Sequence, residues 1–258
     1  MITPWRHRRA RGCTLLDVGV HNVDLMLYYF GPIQRVYAEL AQFDRVRRRD
    51  TGSGGGDGGD RGSIRAIYAA TTPDMPAEVT PDVEDSAVAS LRFHNGAVGD
   101  WMLSHAGHGQ SWRKKALYGS RGSIEPAPPR SGRGPKVFVD GRREALPDEE
   151  LLAIAKGFAV DEGTAHLFGG TRLTQYTFEY AAIDRKITAT VLGDFARAIA
   201  AGTPPEVGGA EARHGVAVVN ALFESAALRR PVLVADVERG DPAVSPWQRD
   251  LDRELGLA

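Results

Sequence analysis

The sequence predicts an α+β fold in which helices pack against a largely antiparallel sheet. Three observations predict it: an amphipathic helix between Cys13 and Gly31, a run of strands centred on a clear hairpin, and two helices near the C-terminus. One helix, then strands, then helices is the order of a segregated chain and not of alternating strand–helix units.

Residues 1–12, MITPWRHRRARG, are basic and show no periodic pattern. No long apolar run follows them, so they do not read as a signal peptide. In the stretch CTLLDVGVHNVDLMLYYFG, the residues Leu16, Val20, Val23, Leu27 and Phe30 fall on one helical stripe. Asp17, His21, Asp24 and Tyr28 fall on the stripe beside it. Gly31 followed by Pro32 stops the helix.

Ile33 to Val46 has strand character, with Ile33, Val36, Ala38, Leu40 and Phe43 expected to face inward. A glycine-rich insertion over residues 50–62 follows, flexible by composition. Ser63 to Thr71 reads as a strand, and the proline-containing stretch to Pro81 as a connection. Asp85 to Phe93 alternates Ala87, Ala89, Leu91 and Phe93; His94-Asn95-Gly96 turns the chain and Ala97 to Ser104 returns. Further strands are expected at Lys114–Tyr118, Gly122–Glu125 and Lys136–Asp140. A short helix is expected at Asp148–Lys156, and an irregular aromatic-rich segment from Gly157 to Tyr180. Helices at Ile187–Ala201 and Glu211–Leu228 come next; the second puts Val216, Val219, Leu222, Phe223 and Ala226 on one face. Pro231 to Asp236 reads as a last strand before a polar tail.

The chain has 258 residues, 42% hydrophobic composition and a formal net charge of -1. That supports a full core, read as a single domain over 1–258. Balanced charge argues against a nucleic-acid binder or an electrostatic membrane anchor. No apolar run approaches the length of a spanning helix. The lone cysteine, Cys13, forms no internal disulfide, which fits a cytoplasmic protein.

Asp17 and His21 lead the candidate chemistry. They sit one turn apart, so their side chains can meet. A histidine can take a proton from a substrate hydroxyl, and a neighbouring carboxylate can orient the ring. Thr14-x-x-Asp17 also fits a capping box, in which Asp17 would serve only the helix start. Spacing leaves both readings open. GGGDGG at residues 54–59 formally satisfies G-x-G-x-x-G, but it neither follows a buried strand nor opens a helix, so it reads as a linker. His105 and His108 follow the hairpin and fit the rim of a pocket; too few ligands stand near them for a metal site, and none is expected. Arg113 could meet an anionic group, and Tyr176 could line a site or a subunit contact; a solvated strand end and ordinary packing are the plain alternatives. His214 reads as structural or exposed. No nucleophile elbow or reactive-cysteine context is present.

Trp5-Arg6, Gly12, Leu15 or Leu16, Asp17, Gly19, His21, Asp24, Leu25 and Gly31 together resemble the start of the second domain in the Gfo/Idh/MocA oxidoreductases, the glucose–fructose oxidoreductase, inositol dehydrogenase and rhizopine catabolism family. VEDSAVASLRFHNGAVGDW resembles that family's hairpin, YGSRGSIE its next strand, and PPEVGGAEARHGVAVVNALFESAALRRPVLV its closing elements. The resemblance implies an open, mainly antiparallel sheet with helices on one face, like the C-terminal domain of dihydrodipicolinate reductase. It implies homo-oligomer contacts through the other face. It further implies a sugar, polyol or derivative as substrate and NAD or NADP as cofactor, with His21 as general acid/base and Asp17 positioning the substrate or the histidine. Trp5, Arg6, Asn22, His105, His108, Arg113 and Tyr176 stand as substrate-binding candidates. The glycine-rich fingerprint and the E-K-P motif of full-length members are not found in this sequence. The expectation is therefore a Rossmann-less C-terminal domain, inactive alone and unable to bind dinucleotide by itself. The alternative is a non-enzymatic oligomerisation or ligand-binding protein that keeps the fold.

Overall fold

A computed structural model describes residues 4–48, 76–107 and 114–257. They form two compact units. The first comprises residues 4–48, 76–107 and 207–257, and the second residues 114–206.

The first unit opens with two short 3-10 turns, Pro4–His7 and Arg9–Arg11, and then the helix α1, Thr14–Phe30. Strand β1, Ile33–Ala41, pairs antiparallel with β4, Ser86–Phe93, which pairs with β5, Val98–Ser104. The small ladder of β2, Arg47–Arg48, and β3, Glu78–Val79, lies outside this sheet. Helix α5, Gly209–Leu228, leads to β9, Val232–Leu233, on the free side of β1, giving the order β5-β4-β1-β9. Helices α6, Val234–Glu238, and α7, Pro246–Glu254, close the unit. The fold class expected from the sequence is the one observed.

The core forms between one sheet face and two helices. Ala87, Ala89, Leu91 and Phe93 of β4 point inward with Trp101, Val36 and Ala38. They meet Leu15 and Val23 of α1 and Val218, Val219, Leu222 and Phe223 of α5. Period-two alternation in β4 leaves Val88, Ser90 and Arg92 on the open face. Ile33 and Val36 both face inward although three residues apart. A register shift between Ile33 and Arg35 absorbs the odd residue, as a β-bulge does.

Several expected boundaries shift for identifiable reasons. β1 ends at Ala41, and Phe43 is 71% exposed instead of inward. The Asp85 carboxylate accepts from the N–H groups of Phe43 and Asp44 and turns the chain out of the sheet. On α1 the fully buried residues are Thr14, Leu15, Gly19 and Val23, while Leu16, Val20, Leu27 and Phe30 are partly buried against the same core. Gly19 belongs to the contact stripe because an added Cβ would lie 3.0 Å from the Trp101 ring. Val216 is exposed, while Ala217 and Val218 are buried: α5 is enclosed on more than one side, so a single stripe does not describe it. The last strand is only two residues long and passes directly into α6. The polar C-terminal stretch forms α7. Trp247 stacks on Phe223 at 4.2 Å, and the buried Glu224 carboxylate accepts from the N–H groups of Trp247 and Gln248 at 2.8 and 2.9 Å, capping α7.

The second unit contains a three-stranded antiparallel sheet: β6, Leu117–Gly119; β7, Gly122–Glu125; and β8, Lys136–Val139. Helices α2, Asp148–Ile154, α3, Glu162–Phe168, and α4, Tyr180–Ala201, follow. The segment read as irregular contains α3. Asp161 caps its start by accepting from Thr164 N, and Gly169 ends it in the left-handed region. α4 begins seven residues before the expected Ile187. Arg172 donates to the carbonyls of Leu152, Ala155 and Lys156 and closes the end of α2. Gly132 has φ +70°, and a Cβ there would overlap the Tyr176 carbonyl oxygen at 2.0 Å. The 50–62 insertion and the Ser63–Thr71 strand lie outside the described residues.

Candidate functional site

The site is built on α1, and flanking residues of β4 fix that helix at both ends. Its N-cap, Cys13, has φ 40° and supplies no side-chain cap. Instead Glu84, just before β4, accepts from Leu15 N at 2.9 Å. At the other end, Asn95 of the hairpin turn donates to Phe30 O at 2.9 Å and accepts from Ala97 N at 2.9 Å. Gly31 N donates to Leu27 O. Orphan backbone groups at both ends are thus met from outside the helix. The capping box imagined for Thr14 and Asp17 does not form.

Asp17 is thereby free for another partner, and it takes Arg6. Arg6 Nε lies 2.6 Å from Asp17 Oδ2, and both side chains are 21% exposed. The N–H direction falls outside hydrogen-bond geometry, so the contact is an ion pair. The guanidinium carbon sits 5.3 Å from the centre of the Trp5 ring. One turn beyond Asp17, His21 is exposed. Among the described residues no hydrogen bond joins Asp17 to His21. Asn22 beside it donates to Val18 O at 3.1 Å within the same helix.

Under the N-terminal turns lies a buried polar cluster that the sequence did not mark. Arg47 Nη1 is 2.5 Å from His7 Nδ1, and Arg47 Nη2 donates to Glu84 O and pairs with Asp85 at 3.6 Å. Guanidinium nitrogens only donate, so His7 Nδ1 accepts and its proton sits on Nε2. Burial, and then the Arg47 charge, lower His7 from 6.5 to about 4, leaving it neutral at pH 7. Burial pushes Glu84 up, against its hydrogen bond from Leu15 N. Burial, with Glu84 beside it, also pushes the Cys13 thiol up, so Cys13 is no thiolate nucleophile. Ser86 Oγ donates to Asp85 and meets Ser104 Oγ at 2.8 Å, tying the cluster to the hairpin.

The other candidates separate. His105 is exposed just after β5, where its backbone N–H donates to Asp85 O at 2.8 Å. Tyr176 belongs to the second unit, packed with Phe168 at 5.0 Å and Phe178 at 5.8 Å. His108 and Arg113 lie outside the described residues. Trp5, Arg6 and Asp17 are thus linked at the start of α1, and His21 follows one turn further on. His7, Arg47 and Glu84 carry no local sequence pattern, because partners 37 residues or more apart meet only in the fold. His214, on α5, pairs with Glu238 at 2.8 Å.

An exposed imidazole beside a fixed carboxylate can accept a hydroxyl proton. The described residues do not build a dinucleotide cradle: every strand pairing is antiparallel, and no glycine-rich turn joins a strand to a helix start in a βαβ unit. Among them no group of three or more His, Cys, Asp or Glu could hold a metal ion. No described helix is long and apolar enough to cross a membrane.

A family model described as GFO/IDH/MocA C-terminal domain matches residues 2–125. Levoglucosan dehydrogenase of Pseudarthrobacter phenanthrenivorans is 29% identical over 175 residues, covering 64% of this chain and 38% of that enzyme. Among solved structures, levoglucosan dehydrogenase in complex with NADH and levoglucosan superposes with a TM-score of 0.58 at 21% identity, over 89% of this chain and 53% of that one. An NAD binding oxidoreductase from Klebsiella pneumoniae gives 0.60 at 16% identity, over 91% and 54%. The chain therefore spans about half the length of these solved relatives, and the structural likeness is one of fold.

Proposed function

We propose, from the premise that residues 2–125 belong to the Gfo/Idh/MocA C-terminal domain family, that this chain supplies the sugar-binding and proton-handling side of an NAD-dependent sugar oxidoreductase. One observation carries the reading: an exposed His21 stands one turn from an immobilised Asp17 on a helix capped at both ends. In this reading His21 accepts the proton of the substrate hydroxyl, and Asp17 accepts a hydrogen bond from the sugar. The described residues do not hold the hydride acceptor. The relatives named above support NAD as that acceptor and levoglucosan or a related sugar as substrate. A cytoplasmic location is part of the same proposal.

Titration calorimetry with levoglucosan and a panel of polyols tests it. Binding to the wild-type chain that weakens on Asp17→Asn supports the proposal; a chain that binds none of these sugars counts against it. Val88 and its cross-strand partner Met102 are exposed apolar neighbours on the open sheet face, with Val98 exposed further along β5, which supports self-association through that face. Analytical ultracentrifugation should show a dimer or larger species that Met102→Asp dissociates. A monomeric wild-type chain would remove this part of the proposal.

A further inference from the structure

We propose that Arg6 is a positioning residue that holds the Asp17 carboxylate in place and does not itself meet the sugar. The inference rests on the functional reading above and deepens it, by separating Arg6 from the substrate-binding candidates among which the sequence places it. Arg6 Nε is shielded from solvent and 2.6 Å from Asp17 Oδ2. Its guanidinium lies over the Trp5 indole at 5.3 Å. Trp5 in turn backs onto Gly12, whose φ of +121° lets the chain enter α1 beneath the ring. The guanidinium is thus committed along one edge to a carboxylate and across one face to an aromatic ring. A planar, delocalised cation suits both contacts at once, and lysine would satisfy only the first.

Two consequences follow for the chemistry. Asp17 is drawn to the N-terminal turn and is joined to His21 by no hydrogen bond among the described residues, so His21 works without a carboxylate behind its ring. The Asp17 oxygen not held by Arg6, Oδ1, becomes the acceptor presented to a sugar hydroxyl, in an orientation set by Arg6.

Nuclear magnetic resonance of the isotope-labelled chain tests this while levoglucosan is added. The shielded Arg6 Nε–H should give a slowly exchanging signal that Asp17→Asn displaces or abolishes. Sugar should move the His21 ring signals and leave the Arg6 signal in place. Arg6→Met, which keeps the stem and loses the charge, should weaken sugar binding roughly tenfold or more, the scale of a hydrogen bond to a charged group. Arg6→Lys, which keeps the charge but not the contact with Trp5, should recover part of that loss, which a purely space-filling role would not predict. An Arg6 signal that Asp17→Asn leaves unchanged overturns the proposal. So does one that sugar shifts directly in the Asp17→Asn variant. A sugar that perturbs neither His21 nor Arg6 removes the functional reading instead, and the Asp17→Asn comparison still decides whether Arg6 holds Asp17.

Discussion

The carboxylate of Glu84 accepts a hydrogen bond from the backbone N–H of Leu15, 69 residues earlier in the chain. A residue at the foot of β4 thus performs the work that an N-cap side chain usually does, and Cys13, which holds the N-cap position, does not. Because Asn95 holds the other end of α1 from the far end of the same strand, the sheet sets the position of Asp17 and His21.

Glu84→Ala should therefore cost about 1–2 kcal/mol, the range for losing a helix cap. Glu84→Gln keeps an acceptor oxygen and should cost less. Urea denaturation of the two variants measures the difference. Equal losses would show that burial of the stem, and not the hydrogen bond to Leu15, is what matters.

His7 gives a pH dependence with a definite sign. Its folded pKa, about 4, lies below the ordinary 6.5. Between these values the unfolded chain binds more protons than the folded one, so stability falls as pH drops from about 6.5 towards 4. The full contribution is present above that window and amounts to at most about 3–4 kcal/mol. Glu84 and Glu224, both raised by burial, act in the opposite sense. The His7 term is therefore isolated by subtracting the curve of His7→Gln, which keeps an acceptor for Arg47. A difference between the two curves that does not change over this window would show that His7 is not held neutral.

Gly19 sits between Asp17 and His21 on the buried side of α1. A Cβ there would meet Trp101 at 3.0 Å and Leu15 at 3.2 Å. Gly19→Val should destabilise by about 1–3 kcal/mol through overpacking. Gly19→Ala should be milder, because roughly 1 kcal/mol of helix propensity offsets the close contact. Thermal unfolding of the pair checks the order; a valine variant as stable as wild type would mean that Trp101 does not pack against this turn.

Much of this was legible in the sequence where the signal is local. The β4–β5 hairpin announced itself by alternation around His94-Asn95-Gly96, and the end of α1 by Gly31-Pro32. Helical spacing puts His21, Asp24 and Tyr28 on one stripe with Asp17, and the structure leaves those three exposed. What was not legible depends on distant partners. Glu84 takes the capping role that was one of two readings open to Asp17, Asp85 turns Phe43 out of β1, and Glu224 caps a helix in the polar tail. The Asp17–His21 pairing allowed by one-turn spacing gave way to Arg6, whose approach depends on the path of residues 4–12. α3 was missed although Asp161 and Gly169 bracket it, because its seven residues hold too few apolar positions to show a period.

The central claim is that His21 handles the substrate proton. The most direct measurement is NADH formation from NAD+ and levoglucosan by wild type and His21→Ala, each assayed together with a nucleotide-binding domain. A general acid/base of this kind predicts a loss of about a hundredfold or more in turnover. Turnover unchanged by the substitution would contradict the account.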